Sequence, residues 1–500
     1  MNLILNNMLA VNKIKFNELI LKETFENNWD SVLLIDSIKN QKITYQEFFG
    51  KILQLKERLS EIGVKKGDFL CVILENSVDL VTIYFSSLIL GTIVVPIDPE
   101  KGTEEINEIL NQFPNKKIIS HENFLNNAVP FIKIDDLKTL ESIKNFKDLT
   151  ALTQINFEKV FLITFTSGTS GIQKGVMHSF KNLIQSANAF KKKFNFGNNH
   201  VFLHNLPMTY MAGILNLLIL PMISNSKIVI SERTNASNIM NFWDTAKKFS
   251  ANSFWLNPTF LELLIKLDRS NLGIEYAKEN NVTVCVGTAP LNDITKKNFE
   301  KKYKIKIFES YGLSETLFVS TNFPNNDKIS SVGKLLDNIE IKFENDEILI
   351  NSPWMFLGYY NSEEKSYKNG FFNTGDLGKI DSDEFLYIVG RKKDIIIKGG
   401  MNISPRKIEN FLTELGVFNE VAILGFPSRL LGEKIVCISI LGKMEKSLAK
   451  KTVNKKIIKK LGIHHTVDEF IFVENIPKNL NAKIDKPKII EMLIQKINDS

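Results

Sequence analysis

Ten consecutive residues, Thr166-Ser167-Gly168-Thr169-Ser170-Gly171-Ile172-Gln173-Lys174-Gly175, hold four hydroxyls, three glycines and one lysine. The apolar run Val160-Phe161-Leu162-Ile163-Thr164-Phe165 before them reads as a buried strand. Ser179 after them reads as the cap of a helix running through Leu183, Ala187 and Phe190. A polar loop between strand and helix lets backbone N–H groups and hydroxyls surround phosphate oxygens, with the lysine adding charge. It is not a Walker loop, which needs four residues between its first glycine and a Gly-Lys pair. Here Lys174 precedes Gly175.

The same alternation extends over the first 390 or so residues. Strand-like runs at 69–74, 92–97, 161–166, 227–231, 282–286 and 306–308 are separated by helical patterns, among them 239–249 and 260–267. This is the pattern of parallel sheets covered by helices, an α/β fold. After Asp337 the texture changes to short strands, 339–343 and 347–350, which predict a small β subdomain. The basic tail from about Lys393 is long enough for a separate small α+β domain. With 500 residues, two or more cores are expected.

Composition narrows the class. Apolar residues make up 44% and charged residues 24%, as in a soluble globular enzyme rather than a disordered chain. Leu80 to Ile97 carries no charge, but Ser86, Ser87, Gly91 and Pro96 interrupt it, and Gly91 before Thr92-Ile93-Val94-Val95 reads as a buried helix turning into a strand. No membrane span is expected. Cys71, Cys285 and Cys437 lie far apart, without metal or disulfide spacing, and no basic stretch precedes an apolar one at the start. A cytoplasmic location is the expectation. From Ile395 onward 18 Lys/Arg face 11 Asp/Glu, so the net charge of +7 lies entirely in the tail, with five lysines between Lys451 and Lys460. A solvated helix face explains such a run, as does a partner that carries phosphates or acidic side chains. No aromatic residues interleave it, so no nucleic acid is expected.

Further segments follow in order: Ile43-Thr44-Tyr45-Gln46-Glu47-Phe48, Leu206-Pro207-Met208-Thr209-Tyr210-Met211-Ala212-Gly213, Val286-Gly287-Thr288-Ala289-Pro290-Leu291 and Ser310-Tyr311-Gly312-Leu313-Ser314-Glu315-Thr316. After them come Phe372-Asn373-Thr374-Gly375-Asp376, Gly390-Arg391-Lys392-Lys393-Asp394, Lys398-Gly399-Gly400, Ile403-Ser404-Pro405-Arg406-Lys407-Ile408-Glu409 and Ile476-Pro477-Lys478-Asn479-Leu480-Asn481-Ala482-Lys483-Ile484-Asp485. Together with the loop at 166–175, this ordered set resembles the adenylate-forming superfamily of acyl-CoA synthetases, nonribosomal peptide adenylation domains and beetle luciferases. The pattern is most similar to acyl-CoA synthetases. Four positions depart from it, the first being Tyr210, where acyl-CoA synthetases often carry a histidine. Ser314 replaces the threonine of Tyr-Gly-x-Thr-Glu, and Asn481 and Ala482 replace the small hydroxyl residue and glycine before the catalytic lysine.

The resemblance implies a large N-terminal domain over 1–392 and a small mobile C-terminal domain over 393–500. Thr166, Ser167, Gly168, Thr169, Ser170, Gly171 and Lys174 would hold the β and γ phosphates of ATP. Gly287, Thr288 and Ala289 would border adenine and the acyl pocket. Tyr311, with Gly312 and Ser314, would flank adenine, and Glu315 would hold Mg²⁺, which takes carboxylates plus phosphates. Asp376 would accept from the ribose hydroxyls, and Arg391 would reach the ribose and phosphate. Lys393 would be the hinge, and Gly399 and Gly400 would admit the pantetheine arm. Lys483 would bridge the carboxylate and the α-phosphate. Thr166, Lys174, Glu315 and Lys483 are therefore the expected catalytic set.

The acid would sit among Tyr210, Met211, Trp255 and Gly287, beside Phe254, which favours an apolar or aromatic acid. Amino-acid-activating relatives place an aspartate where Met211 stands, and a buried ammonium without a partner is costly. The expected activity is ATP-dependent formation of an acyl-adenylate, then transfer to a thiol: coenzyme A, or the phosphopantetheine of a separate carrier protein. A nucleotide-binding protein without ligase activity, and oxidation of the adenylate as in luciferases, are the alternatives.

Overall fold

The computed structural model describes residues 20–121, 130–137, 149–166, 173–235, 237–362, 367–442, 446–478 and 484–498. Two α/β layers carry most of the chain. In the first, strands Ile132–Lys133, Lys117–Ser120, Phe69–Ile73, Ile93–Pro96 and Val160–Thr166 run parallel, and Lys174–Ser179 closes one edge antiparallel. The second is a nine-stranded sheet. Its parallel centre is Ile307–Leu313, Thr283–Val286, Ser253–Leu256, Val201–His204, Lys227–Ile230 and Val32–Asp36. Gln41–Thr44, Leu317–Thr321 and Lys334–Leu335 are antiparallel at its edges. The central strands are near-continuous apolar runs because helices cover both faces of such sheets.

Local signals in the sequence account for the helix boundaries. Thr44 caps Tyr45–Glu61 in a capping box, its side chain accepting from Glu47 N–H while Glu47 accepts from Thr44 N–H. The uncharged stretch after Asp79 is helix Val78–Leu90, buried on nearly every side. It ends at Gly91, whose φ of +79° a side chain would resist, and strand Ile93–Pro96 follows. Ser86 donates to the Thr82 and Ile52 carbonyls, so its hydroxyl is satisfied without water. Among the described residues no helix is long and apolar enough to cross a membrane.

The expected β subdomain is a five-stranded antiparallel sheet of Glu340–Glu344, Glu347–Asn351, Phe371–Ile380, Tyr367–Lys368 and Leu386–Arg391. A 3₁₀ turn, Lys392–Asp394, leads from Arg391 into a fourth sheet. There Met401–Ile403, Ile396–Lys398, Gly432–Leu441 and Phe418–Ser428 pair antiparallel, with Glu469–Phe472 parallel to Gly432–Leu441. Helices Pro405–Leu415 and Lys446–Leu461 belong to this last unit, which has its own apolar core around Ile408, Ile423 and Ile435.

One local expectation is corrected. The Gly/Ser/Thr loop does not join a strand to a helix; it joins two strands of a hairpin, with Thr166 paired to Lys174 and Ile163 to Met177. Helix Phe180–Phe194 starts only after the second strand, and Ser179 caps it as expected. Lys-Gly-Val-Met-His-Ser lacks the apolar alternation that marks a strand. Its pairing comes from an available sheet edge rather than from its own pattern.

Candidate functional site

A cleft of about 1710 Å³ lies where parallel strands end: Pro96, Thr166, Asn257 and Thr288 all line it. Ligands of open α/β sheets bind in this position. Residues from the fourth sheet's side, including Arg406, Glu420, Lys478 and Ile484, complete the lining.

Thr166 and Lys174 face the cleft from the base of the hairpin, while Ser167, Gly168, Thr169, Ser170 and Gly171 lie outside the described residues. The Lys174 ammonium sits 5.2 Å from the centre of the Tyr359 ring. The Tyr359 hydroxyl donates to Glu315 Oε1 at 2.8 Å. Tyr359 thus ties the candidate phosphate lysine to the candidate metal carboxylate, and nothing in the motifs pointed to it. Among the described residues no group of three or more His, Cys, Asp or Glu side chains could hold a metal ion. The single Glu315 carboxylate suits an ion such as Mg²⁺ that takes carboxylates together with phosphates.

His178, two turns of the pleat beyond Lys174, donates from Nε2 to the Ser314 carbonyl at 2.6 Å and so fixes the turn that carries Glu315. His204 likewise donates to the Gly213 carbonyl at 2.9 Å. Both rings are fully buried, and burial pushes each down to about 4. The unfolded chain takes up these two protons near pH 6.5 and the folded chain does not. Stability conferred above that pH is therefore lost as the pH falls toward 4, by up to about 3 kcal/mol per histidine. Urea unfolding of wild type, His178→Gln and His204→Gln between pH 7 and 4.5 checks this: each variant should flatten the profile, and unchanged profiles would refute it.

Tyr311 and Gly312 lie on strand Ile307–Leu313, which turns back into Leu317–Thr321. A β-carbon at Gly312 would come within 2.0 Å of the Leu317 carbonyl oxygen, so only glycine fits this irregular pairing. The Tyr311 hydroxyl donates to Asp376 Oδ2 at 2.7 Å, and Arg391 Nε meets Asp376 Oδ1 at 2.7 Å. Burial, reinforced by the Asp376 charge, holds the Tyr311 hydroxyl well above its ordinary range. Asp376 and Arg391 are register partners on adjacent strands. Glu347 steadies this corner, accepting from Gly375 N–H at 3.1 Å and pairing with Lys392 at 2.8 Å. Thr288, Ala289, Ser314 and Lys393 also line the cleft. Gly287 is set just behind it, where a β-carbon would come 2.9 Å from Ser310 Oγ.

Tyr210, Met211 and Trp255 line the cleft, as do Leu215, Asn216 and Phe318. Phe254 points to the other face of its strand and packs on Phe242 and Trp243. The segment Leu206–Met208 is clamped by the buried Asn76, whose carboxamide donates to the Leu206 carbonyl and accepts from Met208 N–H. The Tyr84 hydroxyl donates to the Met208 carbonyl at 2.7 Å.

From the C-terminal side, Arg406 at the start of helix Pro405–Leu415 donates to the Ile388 carbonyl at 2.7 Å, and Ser404 donates to the Val389 carbonyl. Burial lowers the guanidinium, and Glu309 and Glu409 oppose that shift. Lys483, with residues 479–482, lies outside the described residues, but its flanks Lys478 and Ile484 pair antiparallel and both line the cleft. Gly399 and Gly400 are not among the lining residues. They form the two-residue turn between Lys398 and Met401, and their φ values of +57° and +78° are those of a type I′ hairpin.

Known proteins resemble this chain over most of its length. The chain is similar to the 2-succinylbenzoate–CoA ligase of Oceanobacillus iheyensis, with 25% identity over 460 residues covering 88% of this chain and 92% of that one. It is similar to peroxisomal OPC-8:0-CoA ligase 1 of Arabidopsis thaliana, with 23% identity over 499 residues covering 92% and 90%. The fold matches that of ATP-bound MatB from Rhodopseudomonas palustris, with a TM-score of 0.84, 21% identity and coverage of 95% and 98%. Bacillus subtilis MenE with its acyl-adenylate intermediate matches with a TM-score of 0.79, 22% identity and coverage of 94% and 97%. The family model of the AMP-binding enzyme C-terminal domain matches residues 407–483. The AMP-binding enzyme model matches residues 21–360, more than half of the sequence, and the chain belongs to that family.

Proposed function

We propose that this enzyme activates a carboxylic acid with ATP and transfers the acyl group to coenzyme A. The observation that carries the reading is one cleft lined by Lys174, Glu315, Asp376 and Arg391 together with Tyr210, Met211 and Trp255. The CoA ligases among its relatives support it.

In the first step a carboxylate oxygen attacks the α-phosphorus, the bond to the β-phosphate oxygen breaks, and pyrophosphate leaves. The attacking group is already an anion and needs no base, so positioning and charge neutralisation carry the rate. Thr166 and Lys174 hold the terminal phosphates, Tyr311 flanks adenine, and Asp376 accepts from ribose hydroxyls. Glu315 would hold Mg²⁺, which would supply further charge neutralisation when bound. Lys483 bridges the carboxylate and the α-phosphate. In the second step the thiol attacks the acyl carbonyl, giving a thioester and AMP. The part from Lys393 onward turns about that residue between the two steps, withdrawing Lys483 and presenting Gly399–Gly400 to the pantetheine arm. Pyrophosphate release over a panel of fatty, aryl and amino acids, with and without coenzyme A, tests the whole. Release with some acid and thioester formation only with coenzyme A is the expected result; no release with any acid defeats the reading.

The basic helix Lys446–Leu461 buries Val453 and Ile457 and exposes Lys451, Lys455, Lys456, Lys459 and Lys460, none of which lines the cleft. Neutralising Lys455, Lys456, Lys459 and Lys460 together should raise the apparent KM for the thiol acceptor, more at low salt than at high. ATP–pyrophosphate exchange should hardly change. A larger effect with a carrier protein than with coenzyme A would favour the carrier as acceptor, and no effect at any ionic strength would make the lysines a solvated face only.

A further inference from the structure

We propose that Asn216 recognises a neutral hydrogen-bonding group in the tail of the acid, so that the substrate is an oxo- or hydroxy-acid rather than a plain alkyl or aryl acid. The inference rests on the ligase reading above. Asn216 is only 6% exposed and lines the cleft, as do Tyr210, Met211, Leu215, Trp255 and Phe318. Its side chain makes no hydrogen bond to any described residue, although buried amides are nearly always paired. The carboxamide is not sealed in the core either: its polar atoms are absent from the set of enclosed, unpartnered ones and meet the open space of the cleft.

The backbone adds a second reason. Residues Leu215–Ile219 form a π-helical segment within an otherwise apolar run, and such segments concentrate at functional sites. Leu217, Leu218 and Ile219 are buried in the core, so solvation does not explain an asparagine among them. A carboxamide can donate from Nδ2 to a keto oxygen or accept at Oδ1 from a hydroxyl. Tyr210, Met211, Leu215, Asn216, Trp255 and Phe318 carry no formal charge, so a carboxylate or ammonium held against these six alone would be buried without a counter-ion. A neutral polar tail is what these six side chains suit.

The test compares octanoate and 5-phenylpentanoate with their singly oxo- and hydroxy-substituted derivatives and with the matching α,ω-dicarboxylates. In pyrophosphate release, wild type should prefer one neutral derivative over its plain parent by about tenfold or more in kcat/KM, since a site built to hydrogen-bond a substrate rejects the analogue lacking that group. Asn216→Leu should erase the preference by bringing kcat/KM for the neutral derivative down to that of its plain parent in the same variant; Asn216→Ala, which adds no bulk, repeats the comparison. Wild-type preference for plain acids or dicarboxylates, or a preference that survives both substitutions, overturns the proposal. Calorimetric binding of the same acids in the presence of AMP reads the pocket without catalysis. An Asn216-dependent binding preference in an enzyme that releases no pyrophosphate would uphold this inference while defeating the ligase reading, and binding indifferent to Asn216 would overturn it.

Discussion

Lys483→Ala should lower acyl-adenylate formation by roughly 10²–10³-fold, about 3–4 kcal/mol, while thioester formation from preformed acyl-adenylate stays nearly intact. The expectation follows from the proposed role of this lysine in the first step alone. A positive charge held where negative charge develops contributes only in the arrangement that places it there. The residues that flank it, Lys478 and Ile484, pair antiparallel and line the cleft. ATP–pyrophosphate exchange measures the first half-reaction, and consumption of synthetic acyl-adenylate with coenzyme A measures the second. Equal losses in both would make Lys483 a structural residue and remove the reason to invoke a turning domain.

Lys296→Met should destabilise the large domain by about 3–5 kcal/mol, because it leaves Glu309 buried and unpaired. The two side chains meet at 3.0 Å with almost no exposure, Lys296 from helix Asp293–Tyr303 and Glu309 from the strand that carries Tyr311. Burial raises the Glu309 carboxyl and the Lys296 charge pulls it back. Adding Glu309→Gln to Lys296→Met should restore part of the loss by removing the orphaned charge. Urea unfolding of the single and double variants reads both effects. A single-variant loss under about 1 kcal/mol would mean that water or Arg406 already compensates Glu309.

Much of the architecture was legible because burial writes itself into apolar runs. The strands at 69–73, 93–96, 227–230 and 283–286 lie within a residue or so of where their runs predict them. Ser179 and Gly91 bound helices for the local reasons read from the chain. Strands Lys174–Ser179 and Gln41–Thr44 were not legible, since their pairing is imposed by neighbours distant in sequence. The cleft followed the same division. Motifs nominated Lys174, Glu315, Tyr311, Asp376 and Arg391, and all five line it. Tyr359, His178, Glu347 and Asn76 act by holding those groups or their loops, and a holding residue has no motif because its identity depends on what the fold brings beside it. Asn216 could have been noticed as a polar residue inside Ile214-Leu215-Asn216-Leu217-Leu218, but its helical irregularity could not.

The short strand behind Lys174 works by parity. Lys174, Val176 and His178 share one face, which meets Tyr359 and the Ser314 turn. Gly175 and Met177 share the other, against Ile163 and Tyr360 in the core behind. An insertion or deletion of one residue here would exchange the two faces, sending the lysine inward and the methionine toward Tyr359. Length in this segment is thus under tighter constraint than side-chain identity, and frame-preserving indels would be more damaging here than most substitutions.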